Sequence, residues 1–324
     1  MTFIVSFPSL AVSIGTILGP VVGGVVYQKF GYEAVFQLSL AILGVDVLLR
    51  LLMKETKSTQ RMKEDKEILA AKPVGGEPRR EYSASPLRFA KMLKNPRVIN
   101  SLMQSLVVAW QLTALDATMT IRLMKLFGFN SLQSGLMFLP MAIPAFLEPL
   151  IGYLCDRHGP RYFLTFGFLF STVPLMLLQL PNNNSAHDVV IFVTMLALYG
   201  ITSVMIFSPI LSELSDTVSQ EESKAPGQFG KGKGYGQIYG LFNMAYSLGS
   251  LAGPIQAGYT VERYSWGVLM ITLAVMSLLM VPSSFYFASR GVRPPRSLYT
   301  VADITPTLQE KQLIEEIEIE IEIE

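Results

Sequence analysis

The sequence predicts an all-α membrane protein, a polytopic bundle of about eight transmembrane helices, and three observations predict it. Half of the 324 residues are hydrophobic and 16% are charged, whereas a soluble domain carries roughly 25% charged residues. The charges gather between long stretches that hold almost none. Eight such stretches lie near residues 3–27, 34–53, 98–119, 132–154, 162–180, 188–214, 236–260 and 266–288. Each is close to the roughly 20 residues that a helix needs to cross a hydrocarbon core.

Helices are expected because backbone N–H and C=O groups in lipid must be satisfied within the segment. Barrel strands would be shorter and would alternate in polarity. The first stretch, 3–27, lacks the basic leader of a signal peptide, carries a Gly/Pro pattern and is followed by seven more spans, so it reads as a transmembrane helix. The stretch 34–53 follows after a short turn. Residues 54–97 are rich in charge, Pro and Gly and read as a solvated basic linker that separates two spans from six. The six spans occupy 98–288. The tail 289–324 ends in alternating Ile and Glu from Ile317 to Glu324. Repulsion among the glutamates opposes strand pairing, so the tail reads as low-complexity and cytoplasmic.

The basic residues orient the bundle. Eight helices put both termini on one side, and 22 of the 26 Lys and Arg fall there, in the linker, the loops after 154 and 214, the tail, and at Arg50 on the matching end of its helix. The other side holds Lys29, Arg122, Lys125 and Arg263. The excess of positive charge predicts that both termini and the linker face the cytoplasm. Asn183-Asn184-Ser185 then lies in an outside loop, which makes Asn183 a glycosylation candidate.

Several functions are excluded or left unsupported. The single Cys155 allows no intramolecular disulfide, and a net charge of +1 offers no footing for nucleic acid. Gly232-Lys233-Gly234 nearly matches a phosphate-binding loop but lacks the following Ser or Thr and the preceding strand. There is no HExxH, CxxC or nucleophile elbow, so neither an enzyme, a metal site nor a cofactor is expected.

Two spans share a pattern. The first holds Gly15, Gly19-Pro20 and Gly23-Gly24; the seventh holds Gly249, Gly253-Pro254 and Gly258, with Gly240 upstream. Small residues four apart share a helix face and let another backbone approach, while proline deletes a hydrogen bond and bends the helix. Matching copies in matching helices argue for internal duplication, as in transporters built from repeats.

Each copy resembles the antiporter signature of the fifth helix of the major facilitator superfamily, above all of its drug:proton antiporters. Residues 152–161, with Gly152, Asp156, Arg157, Gly159 and Arg161, are similar to that superfamily's loop hallmark G-x-L-x-D-R-x-G-x-R in its second-half copy. The segment Asp46-Val47-Leu48-Leu49-Arg50-Leu51-Leu52 and the position of Asp116 resemble the vesicular amine transporter-like branch and its fungal relatives. Asn243 departs from that branch, whose amine transporters carry an aspartate there. The resemblance covers roughly residues 3–290. It implies that residues 1–53 correspond to helices five and six of a twelve-helix fold, that 98–288 form the C-terminal half, and that the first four helices are lacking. It also implies that the fifth helix meets the eighth, whereas the Gly240/Gly249/Gly253 face lacks its partner and is open to lipid or to another chain. The Asp156 carboxylate would hold a cytoplasmic gate against the helix that begins at Met1, since a helix N-terminus favours a negative charge.

Acidic residues within spans are costly, roughly 2.5–3.5 kcal/mol on insertion scales, and usually face a cavity or a partner. Asp46, Asp116, Glu148 and Glu213 are therefore the proton-coupling candidates. Burial in an apolar medium disfavours the charged carboxyl, and a proton-coupled carrier needs a group that alternates between charged and neutral. Against that role, Arg50 stands one turn from Asp46 as an ion-pair partner. Asp116 lies toward one helix end, where an interfacial, solvated role is the alternative. Glu148 and Glu213 lie one to two turns from the cytoplasmic surface, where solvated or snorkelling positions are expected. Asn243, Tyr239 and Tyr246, with Trp110, Tyr199, Phe207 and Phe242, are candidates to line a substrate cavity. The function expected is proton-coupled export of a small organic molecule, such as a drug, toxin or secondary metabolite, with protons, that substrate and the bilayer as partners. The alternative is a membrane remnant or scaffold that does not transport.

Overall fold

The computed structural model describes residues 15, 19–52, 93–224 and 233–288. The tail, the near-match to a phosphate loop except Lys233 and Gly234, and nearly all of the linker lie outside the described residues.

Every one of the eight apolar stretches contains helix. Residues 19–30 form α1, and Gly31, at φ 85, turns the chain into α2 (Tyr32–Leu52). That conformation is one that glycine enters without a Cβ penalty. Helix α3 (Pro96–Phe127) starts on Asn95, whose side chain accepts from the Arg97 N–H at 3.0 Å, and stops at left-handed Gly128. The next span is a correction to the single helix expected over 132–154. Pro140, Pro144 and Pro149 each remove a backbone donor, and the stretch breaks into α4 (Ser131–Leu136), α5 (Leu139–Ala142), a 3-10 turn (Ile143–Leu147) and α6 (Glu148–His158). A reciprocal capping box between Asn130 and Gln133 starts α4. Then follow α7 (Pro160–Leu177), α8 (Ala186–Lys224), α9 (Lys233–Arg263) and α10 (Trp266–Phe287). Among the described residues there is no strand.

Among the described residues, five spans are long and apolar enough to cross a membrane by length and composition: Tyr32–Leu52, Pro96–Phe127, Ser131–Cys155, Ala186–Glu221 and Trp266–Phe287. Helix α7 falls short because Pro160, Arg161 and Tyr162 occupy its first turn, and α9 because it is rich in Gly and polar residues.

Helix α3 is the axis of the bundle. It packs along α9 more extensively than any other described pair, and also meets α8 and α10; α7 lies between α8 and α10. Two apolar cores flank it. One gathers Leu123, Phe127, Leu178, Phe192 and Trp266; the other gathers Val98, Leu164, Phe168, Ile210 and Leu214. Lipid tails are as apolar as leucine, so apolar contact alone does not hold such helices together. Close backbone approach and buried polar contacts add the specificity. Gln111 Nε2 donates to Ser277 Oγ at 2.7 Å and to the Leu273 carbonyl at 3.0 Å, and Ser171 Oγ donates to Ser277 at 3.0 Å, which ties α3, α10 and α7 together. Gln104 Nε2 donates to Ser284 Oγ at 2.8 Å one layer away. At the far end Arg122 donates to the Pro181 carbonyl and to Asn182 Oδ1, both at 2.9 Å, and lies 5.9 Å from the Trp266 ring.

Candidate functional site

The Gly-Pro helices position the site. A Cβ built on Gly249 would overlap the Leu106 carbonyl oxygen, and one on Gly253 would stand 2.5 Å from the Trp110 carbonyl and overlap Thr113 Oγ1. Glycine therefore lets the α9 backbone rest on α3. This corrects the expected vacancy on the Gly240/Gly249/Gly253 face. Gly249 and Gly253 are filled from within the chain, and only Gly240 has open space beside it. In the other copy, a Cβ on Gly24 would lie 2.7 Å from the Ser131 carbonyl, and one on Gly135 2.6 Å from the Pro20 carbonyl, so α1 meets α4. Gly15, Gly19, Gly23 and Gly258 face open space. Pro254 lies inside α9, and α9 continues through it to Arg263.

The α3–α9 contact brings a carboxylate to aromatic rings. Asp116 of α3 is exposed on the surface of the described residues. It interacts electrostatically with the hydroxyls of Tyr199 on α8 and Tyr246 on α9. The Tyr246 ring lies 6.0 Å from both Phe207 and Phe242, and those two are 5.9 Å apart, so three rings form one cluster. Ring centroids at such spacing pack edge to face or tilted, and Phe242 is buried in the apolar core with Phe207 and Tyr246 packed against it. Tyr239, Asn243 and Tyr246 stand four and three residues apart, on one stripe of α9. Of the three, Asn243 is exposed and Tyr239 lies within hydrogen-bonding reach of Ser215. Trp110 Nε1 donates to Gln256 Oε1 at 3.3 Å, and Gln256 donates on to Thr260 at 2.9 Å, which gives the α3–α9 seam a polar relay.

The other acidic candidates are placed elsewhere. Asp46 Oδ2 accepts from Arg50 Nε at 2.8 Å on α2, a helix without a buried residue among those described. Glu148 and Glu213 are 3% and 1% exposed. This corrects the expectation of solvated or snorkelling carboxylates: the broken span and α8 both turn these positions inward. In the loop motif, Gly152 and Gly159 are buried, and Gly159 at φ 88 makes the turn from α6 to α7. Arg157 is exposed, whereas Arg161 is 7% exposed with its guanidinium 4.1 Å over the Phe285 ring. The Asp156 backbone continues α6; its side chain, and the helix expected to receive it, lie outside the described residues. Asn183 is exposed, and its N–H donates to Asp188 Oδ2 at 2.8 Å.

Sequence reasoning read Arg122 only as a charge that orients the bundle, and missed Gln104, Gln111 and Gln256. A glutamine in an apolar span is a signal of the same kind as a carboxylate, because it needs a partner in lipid.

A family model described as Major Facilitator Superfamily matches residues 2–230. The chain belongs to the major facilitator superfamily. It is an integral, multi-pass, all-α membrane protein of that family. It is similar to an uncharacterised MFS-type transporter of Schizosaccharomyces pombe, 31% identical over 284 residues, which cover 84% of this chain and 63% of the yeast protein. It is also similar to the human MFS-type transporter SLC18B1, 28% identical over 84% of this chain and 55% of that protein. The human chromaffin granule amine transporter is 22% identical over 86% of this chain and 46% of its own length. The chain thus spans between about half and two-thirds of the length of these curated relatives.

Proposed function

We propose that this chain builds the substrate crevice of a proton-coupled exporter of small organic molecules, in the drug:proton antiporter and vesicular amine transporter-like branch of its family. The observation that carries the reading is the electrostatic interaction of the Asp116 carboxylate with Tyr199 and Tyr246, the latter a member of the Phe207/Phe242/Tyr246 cluster. A carboxylate in a crevice is either charged and binds a cation or a proton, or neutral and releases the guest. The rings supply apolar area and faces that attract cations. Alternating access requires a substrate-binding group to be exposed to one side at a time. Asp46, already bonded to Arg50, is the weaker candidate for the coupling role.

The positive-inside pattern supports cytoplasmic termini and a cytoplasmic linker, and the loop hallmark at 152–161 supports a C-terminal half spanning 98–288. The plasma membrane is the proposed location, with a vacuolar or vesicular membrane as the alternative. The second reading, a membrane remnant or scaffold, rests on α2, which packs no buried residue.

Reconstitution in liposomes separates the two readings. With an imposed proton gradient and the fluorescent organic cation ethidium as probe, gradient-driven flux that falls to background in Asp116→Asn, with the fold retained, supports the exporter. Undiminished flux in that variant removes Asp116 from the mechanism. No flux from a folded wild-type chain, repeated with neutral and anionic dyes, favours the scaffold.

A further inference from the structure

We propose that the groove between α6 and α7 is a binding site for an anionic phospholipid. Gly159 alone joins these helices, and its left-handed φ of 88 turns the chain sharply. The two helices make few contacts with each other, while each packs on α8. They splay, and a groove of about 350 Å³ opens between them. Leu154 and His158 of α6 form one wall, Tyr162, Phe163 and Phe166 of α7 the other, and Met205 of α8 the floor.

The groove opens on an apolar, exposed surface of the described residues. Tyr153, Tyr162, Phe166 and Phe170 around it are all exposed. Met205 lies two residues from Phe207, about 200° round α8 at 3.6 residues per turn. The groove and the aromatic cluster at Asp116 therefore occupy opposite faces of that helix, and this site is independent of the proposed crevice. Its contents are what a bilayer supplies.

The polarity is that of an amphiphile. The floor and most of the walls are apolar: Leu154, Phe163, Phe166 and Met205. The polar groups collect at the end where α6 stops. His158 Nδ1 sits 3.1 Å from the Leu154 carbonyl, so its ring closes over the last turn. Arg157, exposed and one residue before it, lies three positions from Leu154 and so on a neighbouring face. The Tyr162 hydroxyl adds a donor. None of the six lining residues is acidic. An acyl chain covers the rings and the methionine, and a headgroup phosphate meets the guanidinium, the imidazole and the phenol. Charge complementarity selects an anionic lipid over a zwitterionic one, because each basic group near the surface adds to the attraction.

The test uses the whole chain purified in detergent, titrated with phosphatidylglycerol or phosphatidylcholine of identical acyl chains. Retained lipid is read by native mass spectrometry and stability by thermal shift. Wild type should retain phosphatidylglycerol at least about fivefold better, which is the worth of one basic group near a lipid headgroup. Arg157→Gln with His158→Gln should abolish that preference while lowering the lipid-free melting temperature only slightly, since both side chains are exposed and act only on the last turn of α6. Met205→Trp should fill the floor and lower retention of both lipids. If it misfolds, Tyr162→Ala reads the same groove from its exposed edge. Equal retention of the two lipids by wild type would overturn the proposal, as would an unchanged preference in the double variant. So would an equal shift from glycerol phosphate without acyl chains, or a dimer that Met205→Trp dissolves.

Discussion

The two copies of the Gly-Pro pattern, in α1 and in α9, put the same residues to different use. In α9, Gly249 and Gly253 lie under the carbonyls of Leu106 and Trp110, and α3 offers no glycine in return. The contact is one-sided and runs along the longest interface of the bundle. In α1, Gly24 meets the Ser131 carbonyl while Gly135 of α4 meets the Pro20 carbonyl. That contact is reciprocal, each helix giving a glycine to the other's oxygen. Spacing by four thus permits close approach but does not choose which small residue is used; the carbonyls of the partner helix choose it.

The one-sided contact carries the largest predicted effect. Gly253→Ala places a methyl group against the Trp110 backbone oxygen, which a rotamer change cannot relieve. Overpacking of this kind costs about 1–3 kcal/mol. The expected result is a clear fall in melting temperature in detergent, together with loss of any flux, because Asp116 and Tyr246 sit on the two helices that would part. An unchanged melting temperature would show that α9 does not rest on α3 as described.

The reciprocal contact should behave differently in combination. Gly24→Ala and Gly135→Ala should each cost about 1 kcal/mol, the low end of the overpacking range, because the crossing is short. Once either methyl pushes the helices apart, the second meets less resistance. The double variant should therefore be less destabilised than the sum, with a coupling of about 0.5 kcal/mol or more. Strict additivity in thermal or denaturant melts would mean that the two glycines do not share one interface.

What the sequence reveals follows from the same physics. The spans were legible because hydrocarbon thickness demands a minimum apolar length, and α2, α3, α8 and α10 fall where that demand places them. The break in 131–158 was written in Pro140, Pro144 and Pro149, yet hydropathy smooths over them. The filled face of α9 was not legible from the pattern alone: which helix covers Gly249 is a property of the packed bundle. At the site, Asp116 and its aromatic neighbours were nameable one by one. Their convergence depends on α3, α8 and α9 meeting, which no local signal encodes. Glu148 and Glu213 misled because distance from a span end is a poor guide to which way a helix face turns.

The buried glutamine ladder comes third in size. Gln111→Leu keeps the volume but removes the bonds to Ser277 and Leu273, and Ser277 retains Ser171 as a partner. Interhelical hydrogen bonds in membranes are worth about 0.6 kcal/mol on average and about 1.7 at most. The melting temperature should fall measurably but less than for Gly253→Ala. A larger drop would make the polar seam, rather than the glycine contact, the chief tie between α3 and its neighbours.

The smallest effect is the sharpest probe of the comparison. Gly23 and Gly24 are adjacent in the same motif, but a Cβ on Gly23 meets nothing within 4 Å while one on Gly24 meets backbone. Gly23→Ala should change stability by no more than about 0.5 kcal/mol, as for a substitution away from any packed feature. Its sign should lean toward stabilisation, because alanine restricts the helix less unfavourably than glycine. Melting both single variants side by side decides whether the motif acts as a smooth face or as one seated residue. Equal losses at Gly23 and Gly24 would mean that the whole face is covered by something other than α4. A loss at Gly24 alone would fix the contact to the carbonyl of Ser131.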